Sequence, residues 1–409
     1  MKVLSVEFRK GSGRRTRQVS SMALRVTQLQ DESTVAAAAS ALAVRRAALW
    51  GLLVSKLIGG WGVQWDIQWH VIIGRDSFWI PPHVMTYAGV GGAALLSFGV
   101  LAWETLRPGP GDAAGPRVTG LPLGGTLGYH LAASGIAITV LAAPVDDLWH
   151  RLFGLDVTLW SPPHLMGLFG SVVNTLACLV IARECYPASS RLRLAAMLVA
   201  GAMLYGGLQL AVDPSGRIAY VHGGIRFYTF AILAALLIPT AFVLTARLSG
   251  RRWAPLAAVV IVVGLGMIGH QIARVGFDTL QPVSVIEAEI LKDPTSPIAV
   301  ANEMARKDGR VPGRTGGGLY LWGLIPVLVM VVVDARRRPM GATLAWAVTL
   351  FLVTGKLMAL RPSLAPRVPD IGTTLIALAL TILAAIVGGW VARALSDRLE
   401  GLEPDAQQA

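Results

Sequence analysis

The sequence predicts an all-α fold: a polytopic transmembrane helical bundle of about ten spans, with a tandem duplication of its first two hairpins. Three observations predict it. The 409 residues are 54% hydrophobic and 15% charged, where a soluble protein carries about 25% charge, and mean hydropathy is +0.58. Apolar runs of 18 or more residues recur along the chain, each long enough as a helix to cross about 30 Å of hydrocarbon. They are continuous and rich in Leu, Ala, Val and Gly, unlike the alternating strands of a membrane β-barrel. The third observation is a segment of about 25 residues that occurs twice.

The elements follow in order. Residues 1–46 are a basic cytoplasmic tail; 1–21 read as an unstructured leader, and Met22 is a second candidate start. Arg14, Arg15 and Arg17 have no adjacent apolar core, so the segment is not a signal peptide. Spans are expected at 48–69, 82–104, 121–143, 163–183, 194–212, 226–247, 255–275, 318–334, 340–360 and 372–394. They group as a duplicated two-span repeat (47–183), three further spans (184–275), an outer loop (276–317), three C-terminal spans (318–396) and a cytoplasmic tail (397–409). Within the outer loop, Ser296 followed by Pro297 predicts a capped helix from Pro297 to Lys307.

Charge sets the expected topology. Net charge is +12, and the arginines gather in the tail and in every even-numbered short loop: Arg107 and Arg117, then Arg183, Arg191 and Arg193, then Arg247, Arg251 and Arg252, then Arg336 to Arg338. Basic loops stay in the cytoplasm. This places the chain in the inner (cytoplasmic) membrane, both termini inside, with the lipid bilayer rather than nucleic acid as partner of the charge. Cys178 and Cys185 form neither a disulfide framework nor a CxxC site. Lys56 and Lys356 lie within spans, where snorkelling is the expected behaviour.

The repeat carries the chemistry. Residues 65–89 and 145–170 align with one inserted residue before Trp160. Asp66, Trp69, His70, Gly74, Asp76 and Trp79 match Asp146, Trp149, His150, Gly154, Asp156 and Trp160. Pro81, Pro82, His83, Met85 and Gly89 match Pro162, Pro163, His164, Met166 and Gly170. Asp66 and His70, at i and i+4, share a helix face. The prolines open the next helix, which puts His83 in its first turn at a similar depth. One carboxylate and two imidazoles then converge at the hairpin mouth, a donor set for copper, iron or zinc. The candidate metal ligands are Asp66, His70 and His83 in the first copy and Asp146, His150 and His164 in the second. Asp76 and Asp156 are candidates to orient a histidine through its other ring nitrogen. Four of the seven histidines fall in this repeat. His222 and His270, expected on the same outer side, rank below these as ligands, and His130 reads as a packed histidine. Gly74 and Gly154 suit a tight turn.

The pattern Asp-x3-His-x12-His of Asp66, His70 and His83 resembles the copper-binding motif in the C subunit of particulate methane and ammonia monooxygenases. There the Asp and first His leave one transmembrane helix and the second His enters the next. The resemblance spans 18 residues in the first copy; the second reads Asp-x3-His-x13-His, one residue longer. The duplication and the ten-span length depart from that family. The resemblance implies a copper site and a monooxygenase-like membrane oxidoreductase, with further membrane subunits or a redox partner. Two other functions stay open: a metal or small-solute transporter or copper-handling protein, and a structural protein in which the repeat is a fold signature. No Walker or nucleophile-elbow motif is present.

Overall fold

A computed structural model of the chain describes residues 13–74, 77–107, 122–153, 159–312 and 323–401; the side chains of 13–31, 33, 34, 150, 214, 215 and 217 lie outside the description. Every regular element in these residues is helical. In chain order they are α1 (Gly13–Ile72), α2 (Pro81–Leu106), α3 (Leu127–Phe153), α4 (Pro162–Cys185), α5 (Arg191–Ala219), α6 (Thr229–Ser249), α7 (Ala254–Leu280), α8 (Ile286–Lys292), α9 (Pro297–Lys307), α10 (Leu324–Val333), α11 (Pro339–Ala359) and α12 (Ile371–Glu400). Among the described residues nine helices are long and apolar enough to cross a membrane: α1 from Val35, then α2 to α7, α11 and α12. α10 is a shorter apolar helix at the place of the expected span 318–334, of which residues 318–322 lie outside the described residues.

Several boundaries differ from the sequence reading, two of them at the hairpins. α1 begins at Gly13, so the stretch read as an unstructured leader and tail is helical from there into the first span. Its alanine run 36–39 favours helix, and no proline interrupts residues 13–72. The third helix starts at Leu127 rather than 121, after Pro122, Gly124 and Gly125, and runs outward to Phe153. Asp146 and His150 are thereby helical, as are Asp66 and His70 on α1.

The α1/α2 and α3/α4 hairpins cross in the same register. A Cβ on Gly89 would stand 2.5 Å from Gly59 Cα and 2.6 Å from the Ser55 carbonyl oxygen. A Cβ on Gly170 would stand 2.5 Å from the Gly135 carbonyl oxygen and 2.7 Å from Thr139 N. Ser55 and Gly135, Gly59 and Thr139, and Asp66 and Asp146 are all 80 residues apart. Further out, the small and larger partners are exchanged. A Cβ on Gly62 would lie 2.5 Å from Thr86 Oγ1, whereas one on Gly167 would lie 3.6 Å from Ala142 Cβ. Close backbone approach of this kind lets helices pack where no hydrophobic effect drives them together.

The remaining helices build around these hairpins. α5 packs on α4, α6 and α7; α6 on α12; α11 on α10 and α12; and α7 returns to α1. Ser296 Oγ accepts from Ala299 N at 3.2 Å, so α9 has the cap and the bounds that Ser296–Pro297 predicted.

Among the described residues, arginines of α1, of α6 and of the turn after α10 bond to neighbouring elements. Arg45 donates to Glu104 through Nε (2.6 Å) and Nη2 (2.8 Å), both side chains fully buried. Arg46 Nε donates to the Cys185 carbonyl at 2.8 Å, and Arg336 Nη1 to the Gly250 carbonyl at 3.1 Å. Arg247 pairs with Asp397 (2.5 Å) and Glu400 (2.6 Å). Cys178 and Cys185 are free and buried. Lys56 does not follow the snorkelling expectation: its Nζ donates to the Ser171 carbonyl (3.0 Å) and hydroxyl (3.2 Å), because α4 offers acceptors within reach.

Candidate metal centre at the hairpin mouth

The first hairpin is shaped by its turn. Gly74 takes a φ of +76°, a left-handed conformation that closes α1. Ile80 is extended (φ −63°, ψ 147°), as a residue before proline prefers, and Pro81 and Pro82 start α2. His83 then stands on the first turn of α2, facing the last turns of α1.

Three candidates come together there. Asp66 Oδ1 lies 3.1 Å from His83 Nε2 and 3.4 Å from His70 Nδ1. The same oxygen is buried and makes no aligned hydrogen bond. His83 Nδ1 faces the Ser77 carbonyl at 3.1 Å. A carbonyl only accepts, so Nδ1 carries a proton and Nε2 is the nitrogen turned to Asp66. A backbone carbonyl on the far nitrogen is also how ligating histidines are commonly oriented. His70 Nδ1 faces the Asp66 carbonyl at 3.0 Å, which turns the ring back along its own helix.

The histidine rings are 6.3 Å apart, centroid to centroid. Two imidazoles sharing an ion at about 2.0–2.1 Å would have centroids roughly 5 Å apart at a tetrahedral angle and about 6.4 Å apart when collinear. A tetrahedral shell thus needs the rings to close by about 1 Å. Among the described residues no three His, Cys, Asp or Glu side chains stand in metal-holding geometry. The donor chemistry and the Asp66–His83 pair suit a transition metal; the placement of His70 falls short by that closure.

The second hairpin repeats part of the arrangement. Asp146 Oδ1 lies 3.5 Å from His164 Nε2, at side-chain exposures of 32% and 31%, against 24% and 22% for Asp66 and His83. Pro162 and Pro163 again open the helix. His150 is helical, but its side chain, with Asp76, Gly154 and Asp156, lies outside the described residues. His222 is exposed in a short 3₁₀ turn between α5 and α6. His270 lies on α7, with its Nδ1 buried and without a hydrogen bond. Neither joins the Asp66 cluster as a further ligand in any metal-holding group of the described residues. His130 Nε2 is likewise buried without a hydrogen bond.

The sequence reading missed what covers the first site. Trp65 and Trp69 pack with Phe277 of α7, Trp69 stacking on it at 5.8 Å. Trp61 Nε1 donates to the Leu265 carbonyl (2.9 Å) and Gln64 Nε2 to the Gly266 carbonyl (3.0 Å). The outer loop takes the last carbonyls of α1: Val285 N donates to Ile73 O (2.7 Å), Ser284 Oγ to Ile72 O (2.6 Å) and Asn302 Nδ2 to Val71 O (3.4 Å). These groups have no partner within the helix. No local signal joins residues so distant in sequence.

Compared with known protein families, characterised proteins and solved structures, the chain matches none.

Proposed function

We propose that this is an integral membrane metal-binding protein in which Asp66, His70 and His83 hold one transition ion, copper before iron or zinc, as part of a monooxygenase-like oxidoreductase. The observation that carries the reading is the buried Asp66 Oδ1 set between two imidazole nitrogens without an aligned hydrogen bond. When bound, a redox-active ion on three protein ligands keeps open positions for oxygen or substrate. The chain's own residues do the rest. Ser77 fixes the His83 tautomer, and α7 with the outer loop shelters α1's end from water. Electrons would come from a further membrane subunit or redox partner.

The proposal includes the architecture around the site: ten spans, the first four a tandem duplication with a second site at Asp146, His150 and His164, and both termini on the cytoplasmic side of the inner membrane. The equal hairpin registers support the duplication, and the gathered arginines support the orientation. Accessible Asp76→Cys and Arg252→Cys labels should react from opposite sides; labelling of both from the cytoplasm would overturn that map.

A second reading has its own support. His83 has an acceptor at each nitrogen, Ser77 O and Asp66 Oδ1, which suits an imidazolium. The cluster is then an ion-paired clamp of the hairpin. Metal analysis after reconstitution with copper, iron and zinc in turn separates the two. The metal reading expects one ion or more per chain, lost below about pH 6 because ligating imidazoles must be neutral. No stoichiometric metal, together with a lower melting temperature for His83→Ala, would leave the clamp.

A further inference from the structure

Lys56 is a titratable side chain that neither the hairpin-mouth cluster nor the topology uses. It stands ten residues before Asp66 and eleven after Arg45 on one unbroken helix, about 15–17 Å along the axis from each. That is the middle of a hydrocarbon layer about 30 Å thick. The side chain reaches for neither surface. Its Nζ meets the Ser171 carbonyl at 3.0 Å and the Ser171 hydroxyl at 3.2 Å, both on α4. No carboxylate stands within ion-pair distance of it among the described residues. The titratable group that acts on it is Cys178 of α4, which is buried and donates to the Asn174 carbonyl at 3.4 Å. The other helices on this part of α1, which are α2, α5 and α7, bring no titratable group to it among the described residues.

These partners fit an amine better than an ammonium. An ammonium has three N–H donors, no acceptor and a full charge. Here it would find two oxygens of one residue and no anion, and the carbonyl already takes Thr175 Oγ1 at 2.7 Å. A bare charge in hydrocarbon is costly, and ionisable groups kept there have a function. A neutral amine has N–H donors and a lone pair. It gives one N–H to the carbonyl and accepts from the hydroxyl, so its lone pair is matched and no charge is left bare.

We propose that Lys56 is a proton-binding site in the middle of the membrane, empty in the α1–α4 joint described above and filled from the aqueous phase when that joint opens. On filling, the amine takes one proton and becomes an ammonium, and the Ser171 hydroxyl turns from donor to acceptor. Because α1 and α4 belong to different hairpins, the proton governs how the two hairpins sit together. The proposal is independent of the metal reading.

The test uses the purified full chain with ¹⁵N-labelled lysine in nanodiscs, and the same chain unfolded reversibly in mixed micelles. The sequence has six lysines, so the Lys56 signal is identified by its loss in Lys56→Met. It should be that of an amine at pH 9 and change as the pH is lowered. Folding excludes the proton, so raising the pH favours the folded chain. The unfolding constant of the wild type, divided by that of Lys56→Met, should fall by up to about ten-fold per pH unit between pH 7 and 9. Lys56→Arg, charged at every pH, should be less stable than Lys56→Met throughout. If Lys56→Met does not fold, Ser171→Ala keeps the lysine, removes the hydroxyl and should shift the same nitrogen signal. An ammonium signal at every pH, the same pH dependence in wild type and Lys56→Met, or Lys56→Arg as stable as Lys56→Met overturns the proposal.

Discussion

The two hairpins share their proline-opened second helix, their aspartate and histidines, and their crossing register, yet their ends are finished differently. At the mouth, the first hairpin has Trp69 stacked on α7 and its last α1 carbonyls bonded to the outer loop. The second anchors Trp160 Nε1 to the Ala211 carbonyl of α5 at 2.8 Å and leaves Asp146 and His164 more exposed. At the other end, α1 and α2 are joined by the buried Arg45–Glu104 pair. In α3/α4 the acid is Glu184, which accepts from Gly128 N (2.9 Å) and Thr126 Oγ1 (2.6 Å) at the start of α3. The lesson is that a repeated motif fixes geometry within the hairpin, while the third element that packs against it decides what the site can become.

The largest expected effect lies at the ends away from the mouths. Glu104→Ala leaves Arg45 buried without its carboxylate and should cost about 3–5 kcal/mol. Glu184→Ala removes a helix-start acceptor and should cost about 0.5–2 kcal/mol. Equilibrium unfolding in mixed micelles measures both, and equal costs would erase the distinction drawn between the two acids. Next come the crossings. Gly89→Ala forces backbone apart at Gly59 and should cost about 1–3 kcal/mol. Gly167→Ala meets Ala142 at ordinary contact distance and should change stability by less than about 0.5 kcal/mol. A costly Gly167→Ala would mean that the hairpins do not cross as described.

The mouths give the next comparison. On the metal reading, the sheltered first site should bind copper about ten-fold or more tighter than the second, since the supporting shell of a ligand set governs affinity on that scale. His83→Ala should then remove the tight phase of a copper titration and His164→Ala the weak one. One phase lost entirely to either change would replace two sites with one shared site. The smallest effect is expected from Asn302→Ala, about 1 kcal/mol or less at a single loop contact. It should raise hydrogen exchange at residues 71–74 and leave the second hairpin unchanged. Exchange rising in both hairpins would show that the loop supports more than α1.

Much of this was legible in the residues. The apolar runs located the membrane helices because bilayer thickness imposes their length, and Ser296–Pro297 bounded α9 because a cap is a local device. Asp66 lies beside both His70 and His83 because i, i+4 spacing and the paired prolines act over a few residues. What was not legible depends on distant partners. Lys56 turns inward to Ser171, which is 115 residues away. Phe277 completes the tryptophan cluster from α7, and the ring of His70 follows its own backbone carbonyl rather than His83. Residues 13–46 read as a tail because charge and polarity signal a cytoplasmic segment without saying whether it is helical.

The contact between Ser284 and Ile72 also sets a timetable. They are 212 residues apart, and synthesis at about 5–20 residues per second separates their emergence by roughly 10–40 s. α1 and α2 can enter the bilayer and cross at Gly59 and Gly89 early, but their outer end stays uncovered until α7 and the loop after it have been made. The Asp66 cluster is therefore covered late in the life of the nascent chain, after the second hairpin has been made.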